Sequence, residues 1–382
     1  MSNNKIFLSH PEFTHDDINA VNQVLSNFGN RSKSKINFIE KFEDELANFN
    51  HVSNAVVLSS GTAAIHLALL AMKIQRGDNI IIPTLTFAAT AFPVNYLGAV
   101  PTFLDVCKDN WVLDLELLTD YLKKCRKSEI PKAIVSVDLF GKTCDYDELI
   151  SIANHFEIPI LVDSAESLGS NYKDRPSASQ GLISVLSFNI NKIITTTGGG
   201  ALLTNDDSLA KTARKLRNQA RDDFHWYEHS DTGYNYRMSP ILAALGSSQL
   251  SRIESIVEKR RQIREFYDHN LSAIPGVTVN LDSKWERSNA WLTTVKFDKA
   301  LYSNGRNVVR DNLDQAGIES RFVWKPLHLQ PIFASCQSFL TGISEEVFEN
   351  SLCLPSSHTL TRKEIDEVCI LIENSLAGVE NL

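Results

Sequence analysis

Ala133-Ile134-Val135-Ser136-Val137 is a nearly unbroken apolar run, and Ile158-Pro159-Ile160-Leu161-Val162 is a second one that ends on Asp163. Between them, residues 145–156 place apolar side chains at helical spacing. Two strands without polar alternation, joined through a helix, describe parallel strands buried on both faces. The same unit repeats outward. Upstream, residues 55–58, 79–83 and 102–104 read as strands, each followed by a helical pattern at 62–72, 88–97 and 115–124. Downstream, residues 183–186 form another apolar run, and the alternation continues to Thr204. The expected architecture is therefore α/β, with a mainly parallel central sheet flanked by helices.

Residues 16–28 and 37–49 read as two amphipathic helices ahead of this region. Residues 239–271 read as one long or broken helix, whose basic run Lys259-Arg260-Arg261 is expected on a solvated face. The last part mixes strands (290–297) with helices (306–316, 362–376), which fits a smaller C-terminal α+β domain. The expected division is a large domain at 1–260, including the N-terminal helices, and a small one at 261–382. The chain shows no internal repeat, Pro-rich linker or low-complexity segment.

The 382 residues are 43% apolar and 22% charged, which excludes disordered and fibrous classes. Lys and Arg number 38 against 46 Asp and Glu, a net charge of −8. That balance argues against nucleic acid as a partner, while a local basic pocket for a small anion remains open. No run approaches the roughly 20 apolar residues of a membrane span, and the first ten residues lack a secretory pattern. A cytoplasmic location with no membrane partner is expected. The six cysteines are widely spaced with no CxxC pair, and read as reduced thiols.

Ligands on such sheets bind beyond the carboxyl ends of the strands, so chemistry is sought just after each apolar run. Ser60-Gly61-Thr62 follows the first strand and opens a helix. Free backbone N–H groups there make an anion site, although ordinary N-capping explains the same residues. Asp163 ends its strand where a ligand-facing carboxylate is expected. It could hold the ring nitrogen of pyridoxal phosphate protonated, or it could cap the next helix. Lys192 follows the strand 183–186 and precedes Gly198-Gly199-Gly200. Such an amine can form a Schiff base, though taken alone the reading as a solvated loop lysine prevails.

Taken together and in this order, the chain resembles the DegT/DnrJ/EryC1/StrS family of sugar aminotransferases, a branch of the fold-type I pyridoxal-phosphate enzymes. The resemblance runs from about Phe7 to the C-terminus. It is carried by residues 60–69 (SGTAAIHLAL), 83–90 (PTLTFAAT), 162–169 (VDSAESLG), 187–200, 233–239 (GYNYRMS) and 324–331 (WKPLHLQP). It implies that Lys192 is the catalytic lysine, bonded to pyridoxal 5′-phosphate and moving the proton during transfer. Asp163 is implied as the pyridine-nitrogen partner, Glu166 as a group near the phenolic oxygen, and Phe87 as the ring-stacking aromatic. Gly61, Thr62, Ala63 and Ser187 match phosphate contacts. Asn235 matches an asparagine that reaches the phosphate from the partner subunit, which implies a homodimer. Arg31, Arg321, Trp324 and His328 are substrate-side candidates. No metal is implied, and His225 and His229 beside Asp222 and Asp223 lack a clear third ligand.

Within the family, 165–169, 191–196, 221–223 and 227–229 resemble enzymes of the bacillosamine type. The implied reaction turns a UDP-linked 4-keto-6-deoxy-N-acetyl sugar into its 4-amino sugar, with L-glutamate as donor, in surface-polysaccharide or glycosylation pathways. The alternatives are another UDP-, TDP- or GDP-linked keto sugar, including a 3-keto isomer, a cofactor-binding regulator, or a sugar dehydratase. The last carries histidine in place of the lysine. Two departures bear on the sugar: Ile190 stands where close relatives usually have glycine, and residues 28–35 depart from the usual substrate-contact sequence.

Overall fold

A computed structural model describes residues 5–29 and 36–378. Its centre is an eight-stranded sheet in the order Asn54–Leu58, Gly200–Thr204, Ile183–Ser187, Ile160–Asp163, Ala133–Val137, Asn79–Pro83, Val100–Leu104, Ser338–Phe339. All pairings are parallel except the two made by Gly200–Thr204, which runs against both neighbours. The expected apolar runs are the expected strands, and both faces are covered. One core cluster joins Leu67 and Leu69 with Ile80, Ile82, Val135 and Val185, while another joins Ile81, Ile134, Leu118 and Leu149. Gly200–Thr204 is antiparallel because residues 188–199 fold back at once, with Phe188 N–H donating to the Gly199 carbonyl at 2.9 Å. A short reversal allows only an antiparallel return.

The C-terminal part builds a second, antiparallel sheet in the order Val277–Val279, Thr293–Phe297, Ser351–Leu354, Arg321–Phe322. Helices Gly305–Gln315 and Arg362–Ala377 share a core with it. The strand Ser338–Phe339 crosses back to pair with the large sheet.

Two helical expectations need correction, and for 239–271, read as one long or broken helix, the second alternative holds. Residues 88–97 form a single 3-10 turn, Ala88–Thr90, and a short helix, Phe92–Tyr96. Pro93 in the first turn of the second piece lacks an N–H and would clash with the preceding turn, so one helix cannot run through. Residues 239–271 form two helices, Pro240–Leu250 and Ile253–Leu271. The break falls at Ser251-Arg252, where the Arg252 guanidinium is drawn to Glu12 (2.9 Å) and Asp17 (2.7 Å). The second helix runs unbroken through residue 260, where the two proposed domains meet. Finally, Arg260 and Arg261 are buried, not solvated. They lie on the helix face that carries Ile256, Val257, Ile263 and Tyr267. Arg261 Nε donates to the Ser288 carbonyl at 2.6 Å.

Among the described residues, no helix is long and apolar enough to cross a membrane. All six cysteines are free thiols.

Candidate active site

The carboxyl ends of Asn54–Leu58, Ile160–Asp163 and Ile183–Ser187 open onto one cavity of about 280 Å³. Its wall includes Gly61, Thr62, Phe87, Thr90, Asp163, Glu166, Ser187, Lys192, Trp291 and Trp324. Most of the expected cofactor set is therefore brought together by the sheet. Ala63, Asn235, Arg321 and His328 are not part of this wall.

The anion end is built by helix Gly61–Ala71. Ser60 caps it, accepting from Ala63 N–H at 3.0 Å. N-capping thus accounts for Ser60 and Ala63, while the N–H groups of Gly61 and Thr62 have no acceptor within the helix. The helix dipole adds partial positive charge at the same point. Two glycines permit the approach. A Cβ on Gly61 would sit 3.1 Å from Ser187 Cβ, and one on Gly200 would sit 2.5 Å from the Gly61 nitrogen. The second contact is with backbone, which cannot swing aside. Gly200→Ala is thus expected to lower stability by about 1–3 kcal/mol and to weaken phosphate binding, read by denaturant unfolding with and without inorganic phosphate.

Asp163 is 5% exposed. Its Oδ2 accepts from Thr90 Oγ1 at 2.7 Å and its Oδ1 from Ala165 N–H at 3.2 Å. Thr90 in turn lies 2.9 Å from Thr86 Oγ1, so its hydroxyl can accept there while donating to Asp163. Burial pushes the Asp163 carboxyl up, and the Thr90 and Ala165 donors and the Lys192 charge offset part of that. A carboxylate so short of solvent favours a cation in front of it.

Lys192 stands in the fold-back after Ile183–Ser187, its N–H bonded to the Asn189 carbonyl at 3.0 Å. Its Nζ is 3.5 Å from Glu166 Oε1 and 4.1 Å from the centre of the Trp291 ring. Glu166 is buried and also accepts from Phe140 N–H at 2.8 Å. Burial raises its pKa, and the Lys192 charge opposes the rise. Phe87 is 54% exposed at the rim and packs on Trp324 at 5.3 Å. Trp324 stacks on Phe140 at 5.9 Å, so one aromatic wall faces the amine.

The other predicted residues lie elsewhere. Asn235 is exposed, on a segment pinned by Ser59 N–H to the Tyr236 carbonyl (2.9 Å). Arg321 is exposed and paired with Glu319 at 2.9 Å. His328 is held between Thr84 Oγ1 (2.7 Å) and Glu345 Oε1 (3.1 Å). Ile190 is 41% exposed and off the cavity wall. Arg31 and residues 30–35 lie outside the described residues. His229 Nδ1 lies 2.9 Å from the Gln219 carbonyl oxygen.

Sequence reading missed Thr90, Trp291 and Asp138. Asp138 follows the strand Ala133–Val137, so its position was readable, but its partners were not. It is fully buried and accepts from Tyr146 OH, Ser164 Oγ (3.0 Å) and Ser167 Oγ (2.6 Å). Burial pushes it up to about 7. An acid raised in the fold holds its proton more tightly there than in the unfolded chain. That stability is present below the unfolded value and is lost as pH rises through about 7. Asp138 thus favours pH 5 over pH 8, against the buried His66 and His358, whose lowered pKa values favour the higher pH. Asp138→Asn is expected to shift the stability difference between the two toward pH 8, measured by urea unfolding at both.

The family model described as the DegT/DnrJ/EryC1/StrS aminotransferase family matches residues 11–373. The chain belongs to that family. Its enzyme class and cofactor follow: an aminotransferase that depends on pyridoxal phosphate. EpsN of Bacillus subtilis (strain 168), assigned as a pyridoxal phosphate-dependent aminotransferase, is 37% identical over 98% of this chain and 97% of its own. GDP-perosamine synthase of Caulobacter vibrioides is 36% identical over 89% and 90%. Among solved structures, Helicobacter pylori PseC, an aminotransferase involved in pseudoaminic acid biosynthesis, superposes with a TM-score of 0.88. It is 26% identical, over 98% of this chain and 100% of that one. The residues of this aminotransferase fit the cofactor: an anion cradle that Cβ atoms would fill, a buried carboxylate, and an amine, all on the wall of one cavity.

Proposed function

We propose that this aminotransferase moves the amino group of L-glutamate onto the ketone of a nucleotide-linked 4-keto-6-deoxy sugar. The observation that carries the reading is the convergence of the helix N-terminus at Gly61, the buried Asp163 and the Lys192 amine on one cavity. In this reading Gly61, Thr62 and Ser187 hold the cofactor phosphate and Phe87 covers the ring, whereas the Ala63 N–H is taken by Ser60 and lies off the wall. When bound, pyridoxal phosphate supplies an electron sink conjugated to the reacting carbon.

The side chains do the rest. Asp163, fixed by Thr90 and Ala165, keeps a proton on the ring nitrogen. Glu166, 3.5 Å from the Lys192 amine, would face the phenolic oxygen of the bound cofactor. The Lys192 amine takes the proton from the reacting carbon of the donor and later returns one to the acceptor carbon. The aromatic rim of Phe87 and Trp324, backed by the buried Phe140, excludes water and orients the sugar. The partner subunit's Asn235 completes the phosphate site in a homodimer, which is in keeping with its exposure away from its own cavity. His328 fixes the entrance through Thr84, and Arg31 and Arg321 serve the nucleotide phosphates. The two proposed domains, 1–260 and 261–382, frame the cleft.

The acceptor is a UDP-linked 2-acetamido-2,6-dideoxy-4-ketohexose, a reading supported by 165–169 and 191–196. A GDP-linked 4-keto sugar is a second reading, favoured by the likeness to GDP-perosamine synthases. The test loads the purified chain with pyridoxal phosphate and glutamate and offers UDP-, GDP- and TDP-linked 4-keto-6-deoxy sugars. Mass spectrometry should find the amino sugar with the UDP substrate. Product from none of them would contradict the proposal, and product from the GDP sugar alone would establish the second reading.

A further inference from the structure

Segments far apart in the chain converge on the peptide that carries Lys192. The Asn191 carbonyl accepts from the Ser9 hydroxyl at 2.8 Å and from the Trp291 indole Nε1 at 2.7 Å. The face of the same indole lies 4.1 Å from Lys192 Nζ. One side chain thus holds both the backbone beside the lysine and the amine at its tip.

Trp291 is 1% exposed and is itself tied down. Its N–H donates to Asn289 Oδ1 at 2.9 Å, and its carbonyl accepts from Arg260 at 2.6 Å. Arg260 also reaches Ser9 Oγ at 3.2 Å. The guanidinium is 1% exposed, and burial alone pushes its pKa down, with no carboxylate opposing the shift. A buried charge without a counter-charge is costly, so its placement points to what it holds. Asn289 meanwhile donates to the carbonyls of Glu166 (3.0 Å) and Leu168 (2.9 Å). The turn 288–291 therefore connects the backbone of Glu166 to the peptide of Lys192. It packs so closely on Gly141 (φ +92°) that a Cβ there would lie 2.0 Å from Asn289 Oδ1.

We propose that Trp291 is a positioning residue for the Lys192 amine, acting through the Asn191 carbonyl and its own ring face, with Arg260 as its anchor. The inference rests on the reading of Lys192 as the cofactor lysine. Such an amine must bond the cofactor, leave it and return, and when free it needs a fixed waiting place within reach. An indole face attracts an ammonium group without a formal negative charge. Glu166 at 3.5 Å offers the charged alternative on the other side.

The test uses the full chain and two readouts. The first is the rate at which pyridoxal phosphate is captured at residue 192, trapped with borohydride and mapped by mass spectrometry. The second is the affinity for pyridoxamine phosphate, which binds without a bond to lysine. Trp291→Leu is expected to slow capture about 10- to 30-fold, and Trp291→Phe, which keeps an aromatic face, about threefold. Trp291 lines the same cavity, so both should lower pyridoxamine phosphate affinity somewhat, but by a clearly smaller factor than they slow capture; Ser9→Ala, off the cavity wall, should leave it unchanged. Ser9→Ala, which removes the other donor to Asn191 with little change in volume, should slow capture by a similar small factor. Should Trp291→Leu not fold, Trp291→Phe and Ser9→Ala decide: capture slowed by more than affinity falls supports the role, and wild-type rates in both overturn it. It is also overturned if capture and affinity fall by the same factor in Trp291→Phe, the mark of a merely structural residue. A wild-type chain that captures no cofactor at residue 192 would instead contradict the proposed function.

Discussion

Lys192→Ala is expected to abolish turnover, with a loss of about 10,000-fold or more. The amine is the only basic side chain lining the cavity among the described residues. Glu166 is an acceptor 3.5 Å away, but its carboxylate is held in place by Phe140 N–H at 2.8 Å rather than carried on a free, flexible amine stem. Binding should survive the loss, because the first turn of helix Gly61–Ala71 and Asp163 do not depend on the lysine. The variant should therefore hold cofactor or product noncovalently, released by denaturation without borohydride treatment. Full steady-state activity in Lys192→Ala would remove the proposed mechanism, whereas an inactive variant that binds no cofactor would point to a lost fold.

Asp163→Asn should cost about 10- to 1,000-fold in the rate of the glutamate half-reaction. An opposite charge at contact distance shifts a titrating group by about one to three units, and this is the fraction of protonated ring that the carboxylate maintains. Asparagine keeps the size of the side chain and can still accept from Thr90, but its NH2 cannot accept from Ala165 N–H. Losing that bond costs about 1 kcal/mol and removing a buried charge offsets it, so the cofactor-free variant should unfold at nearly the denaturant concentration of the wild type. Slow chemistry together with nearly unchanged stability separates a role toward the cofactor from a role in the core. Wild-type rates in this variant would assign Asp163 to capping alone.

The central sheet and the proposed catalytic groups were legible for one reason. Parallel strands buried on both faces announce themselves as apolar runs, and the fold places ligands at their carboxyl ends. Asp163, Ser60-Gly61-Thr62 and Lys192 could therefore be read off as the residues that follow such runs. Thr90 could not, because its hydroxyl meets Asp163 only after Pro93 has broken the predicted helix and a 3-10 turn has formed. Arg260 was misread from its neighbours in sequence. Adjacent helix residues point about 100° apart, so a run of three cations cannot share one solvated face with the apolar stripe of 256, 257, 263 and 267. That stripe was in the sequence and places 260 and 264 inside. Trp291 and Ser9 meet at Asn191 through contacts spanning most of the chain, and no local pattern encodes them.

The most direct test of the account is the absorption spectrum of the purified chain loaded with pyridoxal phosphate, before and after L-glutamate. The account predicts a visible band that bleaches on addition of glutamate, with a pyridoxamine-type band in its place, and that returns when the accepted keto sugar is supplied. A loaded protein with no visible band would contradict Lys192 as the working lysine, and a band that glutamate leaves unchanged would contradict glutamate as the donor.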